Sequence, residues 1–162
     1  RTGRIGVLAT QATISSGAYQ DAIRRKLPGV QVYGEACPKF VLMVEAGDFN
    51  SPESVAVARE YLLPMMDRGV DTLVLGCTHF PPLVSLIRSI VGESIALVDP
   101  ARETARLAIE VLEGAGELTS RDVGRRVFYT SGDPESFRRM SRLFWPGADH
   151  EVRHKGWDQE SF

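Results

Sequence analysis

The chain has 162 residues, of which 43% are hydrophobic and 25% charged, and its formal net charge is −2. This is ordinary globular composition, enough for one sizeable core, and the balanced charge gives no footprint for nucleic acid as a principal partner. No apolar run approaches the roughly 20 residues of a membrane span, no signal peptide is visible, and two cysteines without a short-spaced partner give neither a zinc ribbon nor a disulfide framework.

Reduced thiols in a cytoplasmic setting fit this composition best. The sequence opens on Arg1 directly ahead of a strand, without initiator methionine or leader, which fits processing, trimming or a missing half. Residues 4–9 read as that strand, with Ile5, Val7 and Leu8 its apolar members. Thr10-Gln11-Ala12-Thr13-Ile14-Ser15-Ser16-Gly17 reads as a hydroxyl-rich loop at the strand's end. Its hydroxyls suit an anion, while Ser15 or Ser16 suits simple capping of the next helix. That helix carries Tyr19, Ala22, Ile23 and Leu27 at helical spacing and stops at Pro28-Gly29.

Val30, Val32 and Gly34 suggest a second strand, followed by Cys37-Pro38. Residues 40–46 are apolar except Glu45, a surface acid ahead of the Gly47 turn on its own pattern. Asn50-Ser51-Pro52-Glu53 is a helix start, with a cap, a first-turn proline and an early acid. Val55, Ala58, Leu62 and Met66 form the expected buried face, and Pro64 predicts a kink or an early end.

Leu73, Val74 and Leu75 then form an apolar, β-prone run that reads as a strand buried on both faces. Gly76 breaks the run, and Pro81-Pro82 opens a helix carrying Leu83, Leu86, Ile87 and Ile90, closed by Gly92. Cys77 therefore sits where a parallel strand turns towards a helix N-terminus, the edge at which open α/β sheets bind ligands. Helix N–H groups there lower a thiol pKa and attract carboxylates. Thr78 adds a hydroxyl, and His79 adds a group that titrates near neutrality. A thiolate beside an imidazole serves as nucleophile, metal ligand or base. The plainer reading is a buried cysteine in a turn with a solvated histidine.

Residues 95–98 make a fourth strand, and Asp99-Pro100 reads as a cap and first-turn proline. The following helix places Thr104, Leu107, Ala108, Val111 and Leu112 on one face, with Glu103 and Arg106 solvated on the other. Residues 114–124 read as a connector and 127–130 as a fifth strand. Gly132-Asp133-Pro134 opens a helix through Phe137, Met140 and Phe144, ended by Trp145-Pro146-Gly147. Val152, His154 and Trp157 alternate as in a last short strand, with His154 a surface or packing residue. The alternation predicts an α/β fold, a parallel sheet flanked by helices on both faces.

Leu75-Gly76-Cys77-Thr78-His79-Phe80-Pro81 resembles the second cysteine motif of bacterial glutamate racemases. The resemblance runs from Ile5-Gly6-Val7-Leu8-Ala9-Thr10 to the tail near Trp157. It includes Ala36-Cys37-Pro38 with Val44-Glu45, and Glu103-Thr104-Ala105. Aspartate racemases look similar but usually carry an acid in place of His79. The resemblance implies cofactor-independent interconversion of L- and D-glutamate for peptidoglycan, and neither a pyridoxal lysine motif nor a metal cluster is evident in the sequence.

Cys77 would be one of two thiol acid/base groups, with Thr78 and His79 positioning the substrate and tuning the proton transfer, His79 as a catalytic residue. Glu45 matches an active-site glutamate that assists the histidine or the substrate. Thr10 and Thr13 match residues with a supporting role near it. The family's other catalytic cysteine belongs upstream of residue 1, so Cys37 is read as a packed structural cysteine. The same resemblance implies a two-domain protein. Residues 1–100 would be one complete α/β domain, and residues 101–162 a helix-strand-helix segment returning to a missing N-terminal half. That segment would lack part of its sheet partner, or pair with another chain, a homodimer included. Two alternatives stay open: a non-catalytic amino-acid-binding or assembly module, and a racemase for aspartate or a related acid.

Overall fold

Strand β1 (Arg4–Ala9) is the centre of the sheet, with β2 (Gln31–Ala36) on one side and β3 (Thr72–Leu75) on the other. β4 (Ala96–Val98) follows β3, giving the order β2-β1-β3-β4 with every pair parallel. Val7 faces Gly34 and Val74, and Leu8 faces Glu35 and Leu75. The structure, a computed structural model, describes residues 2–119, 124, 126–147 and 150–157. The chain divides into two compact units, Arg1–Gly114 and Ala115–Phe162.

Both faces of the four-stranded sheet are covered. On one, Val7, Ala9 and Val32 pack with Ile14 of α1 (Gln11–Ser16) and with Tyr19 and Ile23 of α2 (Ala18–Lys26). On the other lie α3 (Pro38–Ala46), α4 (Pro52–Asp67) and α5 (Val84–Val91), α4 touching both its neighbours. Gly6 permits that approach. A Cβ there would stand 2.6 Å from a Leu73 methyl and 3.3 Å from the Met65 sulfur. The core of this face includes Leu8, Leu62, Met65, Leu73, Leu83 and Ile87, all fully buried.

Several sequence expectations change. The stretch after β1 is helical, not a loop. Thr10 caps it by accepting from the Thr13 amide at 3.3 Å, and Gly17 ends it in the left-handed region at φ 68°. Ser15 and Ser16 are therefore inside α1 and Gly17 stands at the N-cap of α2, yet the Ser16 hydroxyl still accepts from the Ala18 amide that opens α2, at 3.3 Å. Residues 40–46 belong to α3. Pro64 does not end α4, which continues to Asp67. Met65, not Met66, is the fully buried methionine. Ser51 caps α4 as expected, accepting from the Ser54 amide at 3.1 Å.

Helix α6 (Pro100–Ala115) is entered through Asp99, whose Oδ1 accepts from the Ala101 amide at 3.0 Å. No α6 residue is buried, and its expected apolar face stays open, with Leu107 56% and Val111 65% exposed. Arg106 pairs with Glu103 at 2.8 Å and with Glu110 on the opposite face. In the second unit, β5 (Val127–Thr130) pairs in parallel with β6 (Glu151–His154), and α7 (Pro134–Phe144) is capped by Asp133. His154 is exposed on β6, whereas Trp157 lies beyond the strand and is 90% exposed. Part of the expected connector, residues 120–123, lies outside the described residues.

At the N-terminal end of the sheet, Asp71 ties β1 to β3. Its carboxylate accepts from the Thr72 hydroxyl at 2.7 Å, the Thr2 hydroxyl at 3.0 Å and the Gly3 amide at 2.9 Å. Led by the Thr72 bond, these hydrogen bonds hold its pKa at about 2. A carboxyl depressed on folding stabilises above its unfolded value, near 3.9, and loses that contribution as pH falls through the folded one. Asp71→Asn should therefore lower the urea midpoint at neutral pH. The gap to the parent should narrow as pH drops from about 4 to about 2, measured by denaturation at stepped pH.

Candidate active site

The strand order decides where the site is. The chain leaves β1 for β2 on one side and returns past it to β3 on the other, so the reversal lies between β1 and β3. Outside the carboxyl ends of those two strands is where an open parallel sheet leaves a crevice for a ligand. Thr10 follows β1, Cys37 follows β2, the Gly76-Cys77 pair follows β3 and Asp99 follows β4. The ladder extends one step beyond the strands on both sides of β1. The Cys37 amide donates to Ala9 O and the Gly76 amide to Leu8 O, each at 2.8 Å.

Cys77 opens a turn closed by the Phe80 amide donating to Cys77 O at 3.1 Å. Phe80 anchors the turn. It is fully buried, edge-on to Phe40 at 5.3 Å, and Phe40 is in turn edge-on to Tyr61 at 5.1 Å. The helix expected at Pro81 begins as a single 3-10 turn, Pro81–Leu83, and α5 proper starts at Val84. Two prolines supply no N–H groups, so the first turn after Cys77 has fewer amide donors than a regular helix N-terminus. Anion attraction at this edge falls to the turn's own backbone and side chains.

The two thiols differ. Cys77 is half-buried, while Cys37 is fully buried with its Sγ 3.5 Å from Glu35 O. Burial pushes the Cys37 thiol far above its ordinary range, and the neighbouring Glu35 charge adds to the rise. A sulfur so placed stays protonated and packs as a small apolar side chain.

His79 and Glu45 come together although they lie on different elements. Nε2 of His79 is 3.8 Å from Oε1 of Glu45, which stands in the last turn of α3. Both are partly open to solvent, at 36% and 56% of their side-chain surface. Thr78 is exposed in the same turn. The Thr10 and Thr13 hydroxyls lie 3.0 Å apart, so each orients the other while Thr10 also caps α1. Among the described residues, no group of three or more His, Cys, Asp or Glu side chains is gathered as a metal site. No helix among them is long and apolar enough to cross a membrane.

Tyr19, which its helical spacing places only in a core, also reaches this edge. Burial raises its phenol above the ordinary value, and the charges of Cys77 and Asp99 add to the effect. An aromatic with a polar tip, in the first turn of a helix that starts near a strand end, was the available signal.

A half-buried thiol, an imidazole near a carboxylate and paired hydroxyls at a sheet edge are tools for moving a proton at an anionic substrate. The sequence model of the Asp/Glu/Hydantoin racemase family matches residues 1–108. The chain belongs to this family. The glutamate racemase of Beutenbergia cavernae is 45% identical over 154 residues, covering 89% of this chain and 52% of that protein. The glutamate racemase of Geobacter metallireducens is 44% identical over 154 residues, covering 94% of this chain and 57% of that one. The crystal structure of a Francisella tularensis glutamate racemase in complex with D-glutamate gives a TM-score of 0.89 at 31% identity, covering 96% of this chain and 59% of that chain. The RacE1 isoform from Bacillus anthracis gives 0.87 at 30% identity, covering 99% and 60%. This racemase-family chain thus spans somewhat more than half the length of the curated relatives it matches.

The unequal environments of the thiols set a direct test. In the folded chain, a disulfide reagent such as Ellman's should titrate one thiol promptly, and mass mapping should place it at Cys77. The second should react only on unfolding, at least about a hundredfold more slowly under native conditions.

Proposed function

We propose that this chain carries one half of a glutamate racemase active site, with Cys77 as one of its two acid/base thiols. The observation that carries the reading is the placement of a half-buried thiol at the β1/β3 reversal, in the turn that also brings His79 to Glu45. Substrate identity is supported by the relatives, which are glutamate racemases, and by the D-glutamate complex named for one structural neighbour. The product would serve peptidoglycan synthesis in the cytoplasm.

The chemistry needs two bases on opposite faces of the α-carbon. The Cys77 thiolate takes the α-proton of one enantiomer and becomes a thiol. A second thiol gives its proton to the opposite face and becomes a thiolate, so the substrate leaves inverted and the proton count is unchanged. The intervening carbanion lies beside a carboxylate and needs pre-placed hydrogen bonds. Thr10, Thr13 and Thr78 supply hydroxyls for this. His79, with Glu45 beside it, would carry a proton near the substrate's charged groups. Cys37 is sealed in the core, so the second thiol would come from a segment preceding residue 1. Residues 101–162 would return to that segment, and residues 1–100 would hold the Cys77 half. A second copy of the chain is the other source of cover.

The test follows optical rotation or circular dichroism of L-glutamate. The chain alone should show no net racemisation. A fusion that places the N-terminal half of the Beutenbergia cavernae relative before residue 1 should restore it, and Cys77→Ala in that fusion should lower turnover by about 10²–10⁴. Turnover by the chain alone, or a fusion indifferent to Cys77→Ala, would overturn the proposal. Preference of the fusion for aspartate over glutamate would replace the substrate.

A further inference from the structure

We infer that Tyr19 is a positioning residue for Cys77: its ring, seated over Gly76 at the end of β3, fixes the turn that presents the thiol. The inference rests on the reading of Cys77 as the reacting sulfur. It begins with the missing side chain at Gly76. A Cβ built there would lie 3.1 Å from Tyr19 Cε2, 3.2 Å from Ala9 Cβ and 3.2 Å from Leu8 O. Optimal separation between carbon atoms is about 3.5–4.0 Å, so a methyl group there would force its neighbours to give by a few tenths of an ångström. One wall is the end of β1, to which Gly76 is already tied by its amide bond to Leu8 O at 2.8 Å. The opposing wall is the Tyr19 ring. Cys77 is the next residue.

Tyr19 is itself held in place. It packs on Val7, Ala9 and Val32 together with Ile14, Ile23 and Val74. It sits in the first turn of α2, directly after the left-handed break at Gly17 that separates α2 from α1. Because Thr10 caps α1, the path Thr10, Gly17, Tyr19, Gly76 spans from the end of β1 to the end of β3 across one face of the sheet. Burial, with the nearby charges of Cys77 and Asp99 adding to it, raises the phenol above its ordinary value.

A purely structural role makes a different prediction, and Ile23 supplies the comparison. Ile23 packs on the same cluster, one turn further along α2, yet the three nearest contacts of the Gly76 position come from Tyr19, Ala9 and Leu8. The experiment is alkylation of Cys77 by iodoacetamide, followed by peptide mass spectrometry, on the chain and on Tyr19→Phe, Tyr19→Ala, Ile23→Ala and Gly76→Ala. Rates are read from about pH 6 to about pH 11 to give the thiol's apparent midpoint.

Tyr19→Phe keeps the ring and should stay within about twofold of the parent with the same midpoint, as should Ile23→Ala. Tyr19→Ala should displace the midpoint and change the neutral-pH rate by about fivefold or more. Gly76→Ala pushes the ring and the turn apart and should do the same; it decides the matter if Tyr19→Ala does not fold. The inference is overturned by a parent-like profile in Tyr19→Ala or Gly76→Ala, by an equal change in Ile23→Ala, or by failure of Tyr19→Phe to rescue. Alkylation is read without turnover, so loss of this inference and loss of the racemase reading give different results.

Discussion

Everything at this sheet edge depends on how closely two backbones can approach. Gly76 meets the end of β1 across a gap in which a methyl group would sit closer than ordinary van der Waals contact. That contact, with the amide bond to Leu8 O, is what carries the register of β1 and β3 one step past the strands. A parallel sheet whose order reverses between β1 and β3 leaves a crevice at that point, and the close approach puts Cys77 at its lip. The burial of Phe80 against Phe40 then holds the far end of the turn. Sheet order therefore chooses the location, glycine sets the distance, and an aromatic anchor fixes the direction in which the thiol leaves the strand.

The same edge gives two cysteines in similar places different surroundings. Each follows a strand adjacent to β1. Cys37 is fully buried and its thiol is pushed up by burial, so the thiolate form is expelled. Cys77 keeps part of its surface and stands in a turn with two exposed or half-exposed neighbours, Thr78 and His79. The difference is one of access and dielectric rather than of residue type. It also makes Cys37 a useful internal reference, because one sulfur is open in part to solvent and the other is packed in the core.

Much of this was readable where local chemistry is decisive. Residues 4–9 became β1 because period and β-branching agree, and Ser51-Pro52 began α4 because a cap and a first-turn proline act within one turn. The reading failed where tertiary contact decides. Helix α1 is a six-residue segment with too few turns to show a period, formed by the Thr10 cap and the packing of Ile14 on the sheet. Pro64 did not end α4, which runs on to Asp67. The approach of Glu45 to His79 joins the end of α3 to a turn after β3, which no spacing rule can foresee; it entered only through resemblance. Tyr19 read as a core residue because its second contact, with Gly76, is made by a distant part of the chain.

The most direct measurement is solvent-deuterium exchange at the glutamate α-carbon, read by proton NMR. It uses the fusion of a racemase N-terminal half to this chain, with each cysteine of the chain replaced in turn. The account predicts that Cys77→Ala abolishes exchange from one enantiomer, whereas Cys37→Ala leaves exchange from both within about threefold of the unsubstituted fusion. Undiminished exchange from both enantiomers in Cys77→Ala, or its loss in a folded Cys37→Ala fusion, would contradict the placement of the reactive sulfur.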